Sequence, residues 1–160
     1  MLKFHKTVAS VFGIGFIPKG SGTVAALFAC LLLIFLTSGL FEQYFFKINF
    51  KEYQILLIIA SLLTTFLGRF SAKIVEPIWG EDSSKIVIDE VAGMFITLCF
   101  VPFSIVNIGI GFVLFRFFDI YKPLYIRYFE KYPNGWGVIL DDVAAGIFAN
   151  IVLQLIIFFW

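Results

Sequence analysis

Residues 140–160 read Leu140-Asp141-Asp142-Val143-Ala144-Ala145-Gly146-Ile147-Phe148-Ala149-Asn150-Ile151-Val152-Leu153-Gln154-Leu155-Ile156-Ile157-Phe158-Phe159-Trp160, two adjacent carboxylates followed by an uncharged apolar run. A helix rising 1.5 Å per residue over that run approaches the ~30 Å of a bilayer's hydrocarbon core. Four more hydrophobic runs lie upstream, at about 24–41, 53–68, 91–103 and 105–118. The two middle runs are short and meet at Pro102, so they predict either two abbreviated spans or a re-entrant hairpin that returns the chain to its starting face. The expected fold is all-α, a polytopic membrane helical bundle with four or five passages.

Composition supports lipid as the solvent. Of the 160 residues, 61% are hydrophobic and 14% charged, with a mean hydropathy of +0.98, outside the usual balance of a soluble domain. No linker or low-complexity tract divides the chain, so residues 1–160 are expected to form one domain. A net charge of +1, with basic residues spread along the chain, leaves no footprint for nucleic acid. Cys30 and Cys99 sit inside apolar runs and are expected to behave as small buried hydrophobes.

Ten of the twelve Lys and Arg residues fall in residues 1–23, 69–90 and 116–142, against Lys47 and Lys51 in the 42–52 loop. The positive-inside rule therefore puts the N-terminus and the longer loops in the cytoplasm and the C-terminus outside. The same division leaves only Glu42 and Glu52 among the acids on the far side. A signal peptide over residues 1–23 is disfavoured, because Gly13, Gly15, Pro18 and Gly20 interrupt its apolar core. Thr7–Ile17 instead suits an irregular or amphipathic interfacial segment.

Ile88-Asp89-Glu90-Val91-Ala92-Gly93 nearly repeats the 140–146 pattern, giving two acidic pairs at the mouths of apolar helices. Adjacent carboxylates near lipid repel and lose hydration, penalties that a hard divalent cation with oxygen ligands offsets, with magnesium the natural candidate. The simpler reading is that acids in a first helical turn complement the helix dipole. That suffices for one pair; two similar pairs on one face favour a metal or active site.

Between the pairs, Arg116, Asp119 and Lys122 recur every three residues and fall near one face of a helix that ends at Pro123. Arg116 and Lys122 suit phosphate, with Asp119 a further metal ligand or a partner for the arginine; an ordinary ion-pair ladder fits the spacing equally well. Pro18-Lys19-Gly20-Ser21-Gly22-Thr23 precedes the first long run and suits a helix start with free N–H groups, as a simple cap or as a phosphate seat. It resembles a nucleotide-binding loop only superficially: Gly15 to Gly20 has the Gly-x-x-x-x-Gly spacing, but Ser21-Gly22 stands where Lys then Ser/Thr is needed. The single histidine, His5, lies away from the acidic motifs, and no Asp-x-Asp occurs, which leaves a metal-activated water or a carboxylate as base or nucleophile.

In order and spacing, Gly20-Ser21-Gly22-Thr23, Asp89-Glu90-x-x-Gly93, Arg116-x-x-Asp119-x-x-Lys122-Pro123 and Asp141-Asp142-x-x-Ala145-Gly146 resemble the phosphatidylglycerophosphatase A family over about residues 7–150. The resemblance implies a magnesium-dependent phosphoric monoester hydrolase of the bacterial cytoplasmic (inner) membrane that converts phosphatidylglycerophosphate and water to phosphatidylglycerol and phosphate. Carried over by position, Asp89, Glu90, Asp119, Asp141 and Asp142 look catalytic, and Asp89, Glu90, Asp141 and Asp142 look like metal ligands. Ser21, Thr23, Arg116 and Lys122 look like phosphate contacts. The expected partner is a phospholipid substrate within the membrane, with room for a homo-oligomer. The competing readings are a small ion- or proton-coupled transporter, which expects charge through the spans rather than at one boundary, and an assembly subunit using Gly146 and Asn150 as a helix seam.

Overall fold

The computed structural model describes residues 1–38, 43, 48–80, 83–123 and 126–160, without the side chain of Glu130. The expected end of the first run at 39–41, Glu42 and Lys47 of the short loop, and Glu81 and Asp82 lie outside the described residues. Among the described residues the regular structure is entirely helical: α1 (Leu2–Ala9), α2 (Ser21–Leu36), α3 (Phe50–Trp79), α4 (Ile88–Leu98), α5 (Ile105–Tyr121) and α6 (Trp136–Phe159), with 3₁₀ turns at Ile14–Phe16 and Ile126–Lys131.

Among the described helices, α3 and α6 are long and apolar enough to cross a membrane, with only 28% and 33% of their most apolar segments buried within the chain. A soluble protein's core helix would be mostly covered. Here Ile59, Leu63, Phe66 and Phe70 of α3 and Ile147, Ile151 and Leu155 of α6 are exposed, stripes at helical spacing whose natural counterpart is hydrocarbon. Of the four or five expected passages, these two meet the length requirement. Helices α2 and α5, at 16 and 17 residues, reach only about 24–26 Å, and α4, at 11 residues, about 16 Å.

Short α4 is the centre of the bundle. Nine of its eleven residues are buried, and it packs on α6, α3, α2 and α5. Close packing against α6 depends on two glycines. A Cβ on Gly146 would lie 2.5 Å from the Gly93 carbonyl oxygen, and one on Gly93 would strike the Phe115 ring and come within 2.8 Å of the Asp142 carbonyl. The small-residue patterns after the two acidic pairs are therefore the crossing point itself. Thr97 closes it, donating its hydroxyl to the carbonyls of Gly93 at 2.9 Å and Gly146 at 3.4 Å. Gly68 of α3 fits against Ile88 and Ile139, the residues just ahead of each acidic pair.

The break expected at Pro102 comes a little earlier. Helix α4 stops at Leu98, and Phe100 adopts a positive φ of 62°. The freed backbone groups find side-chain partners: Asn150 donates to the carbonyls of Thr97 at 2.9 Å and Cys99 at 2.7 Å. Gln54 donates to the Val101 carbonyl at 3.0 Å and accepts from the Phe100 N–H at 2.5 Å. Such satisfaction is what permits irregular backbone in an apolar bundle. Ser104 then caps α5, accepting from the Val106 N–H at 3.2 Å.

The interfacial segment expected at Thr7–Ile17 is helical to Ala9 and turns through Gly13 at φ 103° into a 3₁₀ turn. Helix α1 lies on α3, with His5 Nδ1 3.2 Å from the Ser71 hydroxyl, and the Ala9 carbonyl accepts from the Val87 N–H at 2.8 Å. These contacts hold the loop before α4 in place.

Two glycine substitutions should behave oppositely in thermal unfolding of the detergent-solubilised protein. Gly146→Ala forces a methyl against rigid backbone and should lower the melting temperature by at least about 4 °C, whereas Gly109→Ala, whose Cβ would meet open space, should leave it unchanged or slightly raised. Equal effects at the two positions would mean that the Gly93–Gly146 contact does not hold the bundle.

Candidate active site

Asp89 and Glu90 occupy the first turn of α4, where the helix dipole favours negative charge. The second pair is placed differently. Helix α6 begins at Trp136, so its first turn contains no acid, and Asp141 and Asp142 fall in the second turn, where the dipole has faded. The simple boundary reading therefore accounts for the first pair and not for the second.

The helix crossing brings one acid of the second pair to the first. Carboxylate oxygens of Asp89, Glu90 and Asp142 lie within 4.8 Å of one another, with Asp89 and Asp142 buried and Glu90 half-buried. Asp119 of α5 comes within reach of Asp142. Asp141 turns aside: Lys122 Nζ donates to its Oδ2 at 2.5 Å. Arg116 Nη1 meets Asp119 Oδ2 at 2.6 Å.

Lys122 departs from the expected ladder in a specific way. The helix ends at Tyr121, one residue before Lys122, which adopts a left-handed φ of 45° and acts as the C-cap. That turn carries its side chain toward α6 rather than continuing the α5 face shared by Arg116 and Asp119. The spacing of three thus describes the Arg116–Asp119 pair, while Lys122 bridges two helices.

At the opposite side, α2 starts after Gly20, whose φ is 72°, without a side-chain cap. Ser21 is buried, and its hydroxyl donates to the Ser84 carbonyl at 2.8 Å, tying the start of α2 to the loop ahead of α4. Thr23 is exposed. Gly22, between them, faces the Glu90 carboxylate. Of the sequence-derived candidates, the structure gathers Asp89, Glu90, Asp119, Asp142 and Asp141 with Arg116 and Lys122; it gives Ser21 a main-chain partner and leaves Thr23 facing outward. The contribution of Gly22 is not visible in the sequence, where it stands only as part of a small-residue helix start.

Five carboxylates and two cations give this cluster a formal charge of −3. Among the described residues, Glu90 Oε2, Asp141 Oδ1 and Asp142 Oδ2 are buried without a hydrogen-bond partner, as is Arg116 Nε. Buried acceptors of this kind are costly unless something completes them. Oxygen-only donors, excess negative charge and unfilled lone pairs fit a hard divalent cation such as magnesium.

Comparison with known proteins gives the architecture a class, that of a phosphatase of phospholipid metabolism. The chain belongs to the phosphatidylglycerophosphatase A family, whose profile matches residues 7–157. It is 39% identical over 144 residues to a phosphatidylglycerophosphatase A of Haemophilus influenzae, covering 89% of this chain and 82% of that protein. A protein of Bacteroides thetaiotaomicron, provisionally named a phosphatidylinositol-3-phosphatase, is 36% identical over 149 residues, 91% of this chain and 89% of its own. The Escherichia coli phosphatidylglycerophosphatase A is 29% identical over 151 residues, covering 93% and 81%. No solved structure matches the chain significantly.

If the cluster holds a divalent cation, magnesium should stabilise the folded protein by mass action, by about 2.7 kcal/mol at a hundredfold excess over Kd. The melting temperature of the wild type should rise with magnesium, and that of Asp142→Asn should rise much less. An equal rise in both would remove Asp142 from the cation site.

Proposed function

We propose that this chain hydrolyses the terminal phosphomonoester of phosphatidylglycerophosphate with magnesium, releasing inorganic phosphate and leaving phosphatidylglycerol in the membrane. The observation that carries this reading is the convergence of Asp89, Glu90 and Asp142 beside Arg116 in a chain of this family. A phosphomonoester brings nearly two negative charges, which must be neutralised before phosphorus can be attacked.

In this mechanism Asp89, Glu90 and Asp142 would hold the cation, and Asp141, whose Oδ1 has no partner among the described residues, stands beside them. Magnesium, when bound, supplies positive charge to the phosphoryl oxygens. Arg116 donates from Nε, a buried nitrogen without a partner among the described residues, to a phosphoryl oxygen, and the ion pair of Nη1 with Asp119 fixes the guanidinium. Lys122 orients Asp141, and Asp141 Oδ1 takes the proton from the attacking water as its oxygen bonds to phosphorus. The bond between phosphorus and the glycerol oxygen breaks, that oxygen takes a proton from solvent water, and Asp141 returns its proton to solvent, so the products are an alcohol and phosphate. Surrounding apolar side chains limit access of bulk water and strengthen each of these interactions.

The reading places the protein in the bacterial cytoplasmic membrane with its N-terminus and active site on the cytoplasmic face, supported by the distribution of Lys and Arg and by the apolar outer faces of α3 and α6. The name of the Bacteroides relative favours testing a second headgroup. A phosphoinositide 3-phosphate also carries a phosphomonoester beyond the diester of a membrane lipid, and the same residues would act on it.

The deciding experiment is phosphate release by the purified protein in mixed micelles, with phosphatidylglycerophosphate and phosphatidylinositol 3-phosphate in parallel, with magnesium and with excess chelator. Release from the first lipid that requires magnesium and falls at least about 100-fold in Asp89→Asn is expected. Preference for the inositol lipid would reassign the substrate; no release from either by folded protein would overturn the phosphatase reading.

A further inference from the structure

Gly22 occupies an ordinary helical position in the first turn of α2, with no positive φ to explain the glycine. Alanine is the better helix former there. What stands where a methyl would go is Glu90. A Cβ built on Gly22 overlaps Glu90 Oε1 and lies 2.8 Å from Cδ and 3.3 Å from Cγ.

The contrast with three glycines crowded chiefly by backbone identifies what would yield. At Gly15 the obstruction is the Lys85 backbone, at Gly135 it is backbone of Arg69 and Lys73, and at Gly146 the Gly93 backbone. Those contacts are between rigid segments, and a methyl there pushes helices or loops apart. At Gly22 all three nearest atoms belong to one side chain with three rotatable bonds. The fold can accommodate alanine, but the Glu90 carboxylate cannot stay where it is. The start of α2 is itself held, because the Ser21 hydroxyl is bonded to the Ser84 carbonyl, so the helix cannot retreat without breaking that link.

We propose that Gly22 is a positioning residue: its missing side chain is the seat that sets the Glu90 carboxylate among Asp89 and Asp142. A methyl in that seat displaces the carboxylate and weakens cation binding while leaving the folded bundle intact. The assignment deepens the proposed function and rests on its reading of Glu90 as a cation ligand. It also makes the helix start a steric element of the site, separate from any contact between Ser21 or Thr23 and phosphate.

The test compares full-length wild type, Gly22→Ala, Glu90→Asp and the double variant in detergent–lipid micelles. It reads the melting temperature without divalent ions, its rise on titration with magnesium, and the magnesium concentration that half-saturates phosphate release. Gly22→Ala should melt within about 2 °C of wild type, or higher, without magnesium, yet need at least about 10-fold more magnesium for half-saturation, a change of roughly 1.4 kcal/mol. Aspartate is one methylene shorter and withdraws from the added methyl, so Glu90→Asp should harm the wild type but recover part of the magnesium affinity in the Gly22→Ala background, a non-additive pair. Wild-type magnesium dependence in Gly22→Ala, a fall of 10 °C or more in its magnesium-free melting temperature, or equal effects of Glu90→Asp in both backgrounds would each overturn the assignment. Wild-type protein that neither responds to magnesium nor releases phosphate would instead overturn the cation reading beneath it, an outcome distinguishable from a variant that behaves like a responsive wild type.

Discussion

The close approach of Gly93 and Gly146 governs the rest of the molecule. With no Cβ on either residue, α4 and α6 meet through backbone, and Thr97 adds hydrogen bonds to the carbonyls on both sides. Each acidic pair lies about one turn from its glycine, so the contact that packs the helices also sets Asp142 against Asp89 and Glu90. Packing here overcomes electrostatic repulsion: the burial of α4 on all sides holds carboxylates together that would otherwise separate. Their oxygens without hydrogen-bond partners among the described residues are what that competition leaves.

A second constraint concerns main-chain polarity. Helix α4 is too short to cross a hydrocarbon layer, and its end lies among other helices, so its last carbonyls require partners from elsewhere. From the two longest helices, Asn150 supplies one to the Thr97 carbonyl and another to Cys99, and Gln54 satisfies the backbone of Phe100 and Val101 just beyond the helix end. These amides were easy to mistake for ordinary polar residues on apolar helices. Together with the ties to Val87 and Ser84 ahead of α4, they fix both ends of the element that carries the first acidic pair.

Much of the helical architecture and the composition of the cluster could be read from sequence, because acidic pairs next to long apolar runs are rare and physically expensive. The apparent symmetry of the pairs was less informative. The sequence marks 141–142 as a boundary by charge, but helical geometry continues back to Trp136, so those acids sit inside a helix and divide their roles. Only Asp142 joins the trio around Asp89. The partner of Asp141 also escaped the spacing argument, since Lys122 leaves the α5 helix through a left-handed conformation that no periodicity encodes. Ser21 illustrates a more general limit: the sequence shows a hydroxyl beside a helix start but not the carbonyl 63 residues away to which tertiary structure bonds it. The span count was legible only in part, because apolar content reports the length of a run and not where tertiary contacts interrupt its helix, as they do at Phe100.

Under the proposed function, in which a membrane lipid is the substrate, the exposed apolar faces of α3 and α6 change what concentration means for this protein. A ligand sharing its hydrocarbon solvent is diluted by neighbouring lipids rather than by a volume of water, and it arrives by lateral diffusion in a plane. Its tails are already aligned and its headgroup already confined to a thin layer before any encounter. Much of the translational and rotational entropy that a soluble enzyme must overcome on binding is therefore lost when the lipid enters the bilayer. On that reading a chain of 160 residues would devote its few polar side chains to the reacting phosphate, with the membrane serving as the remainder of the binding site.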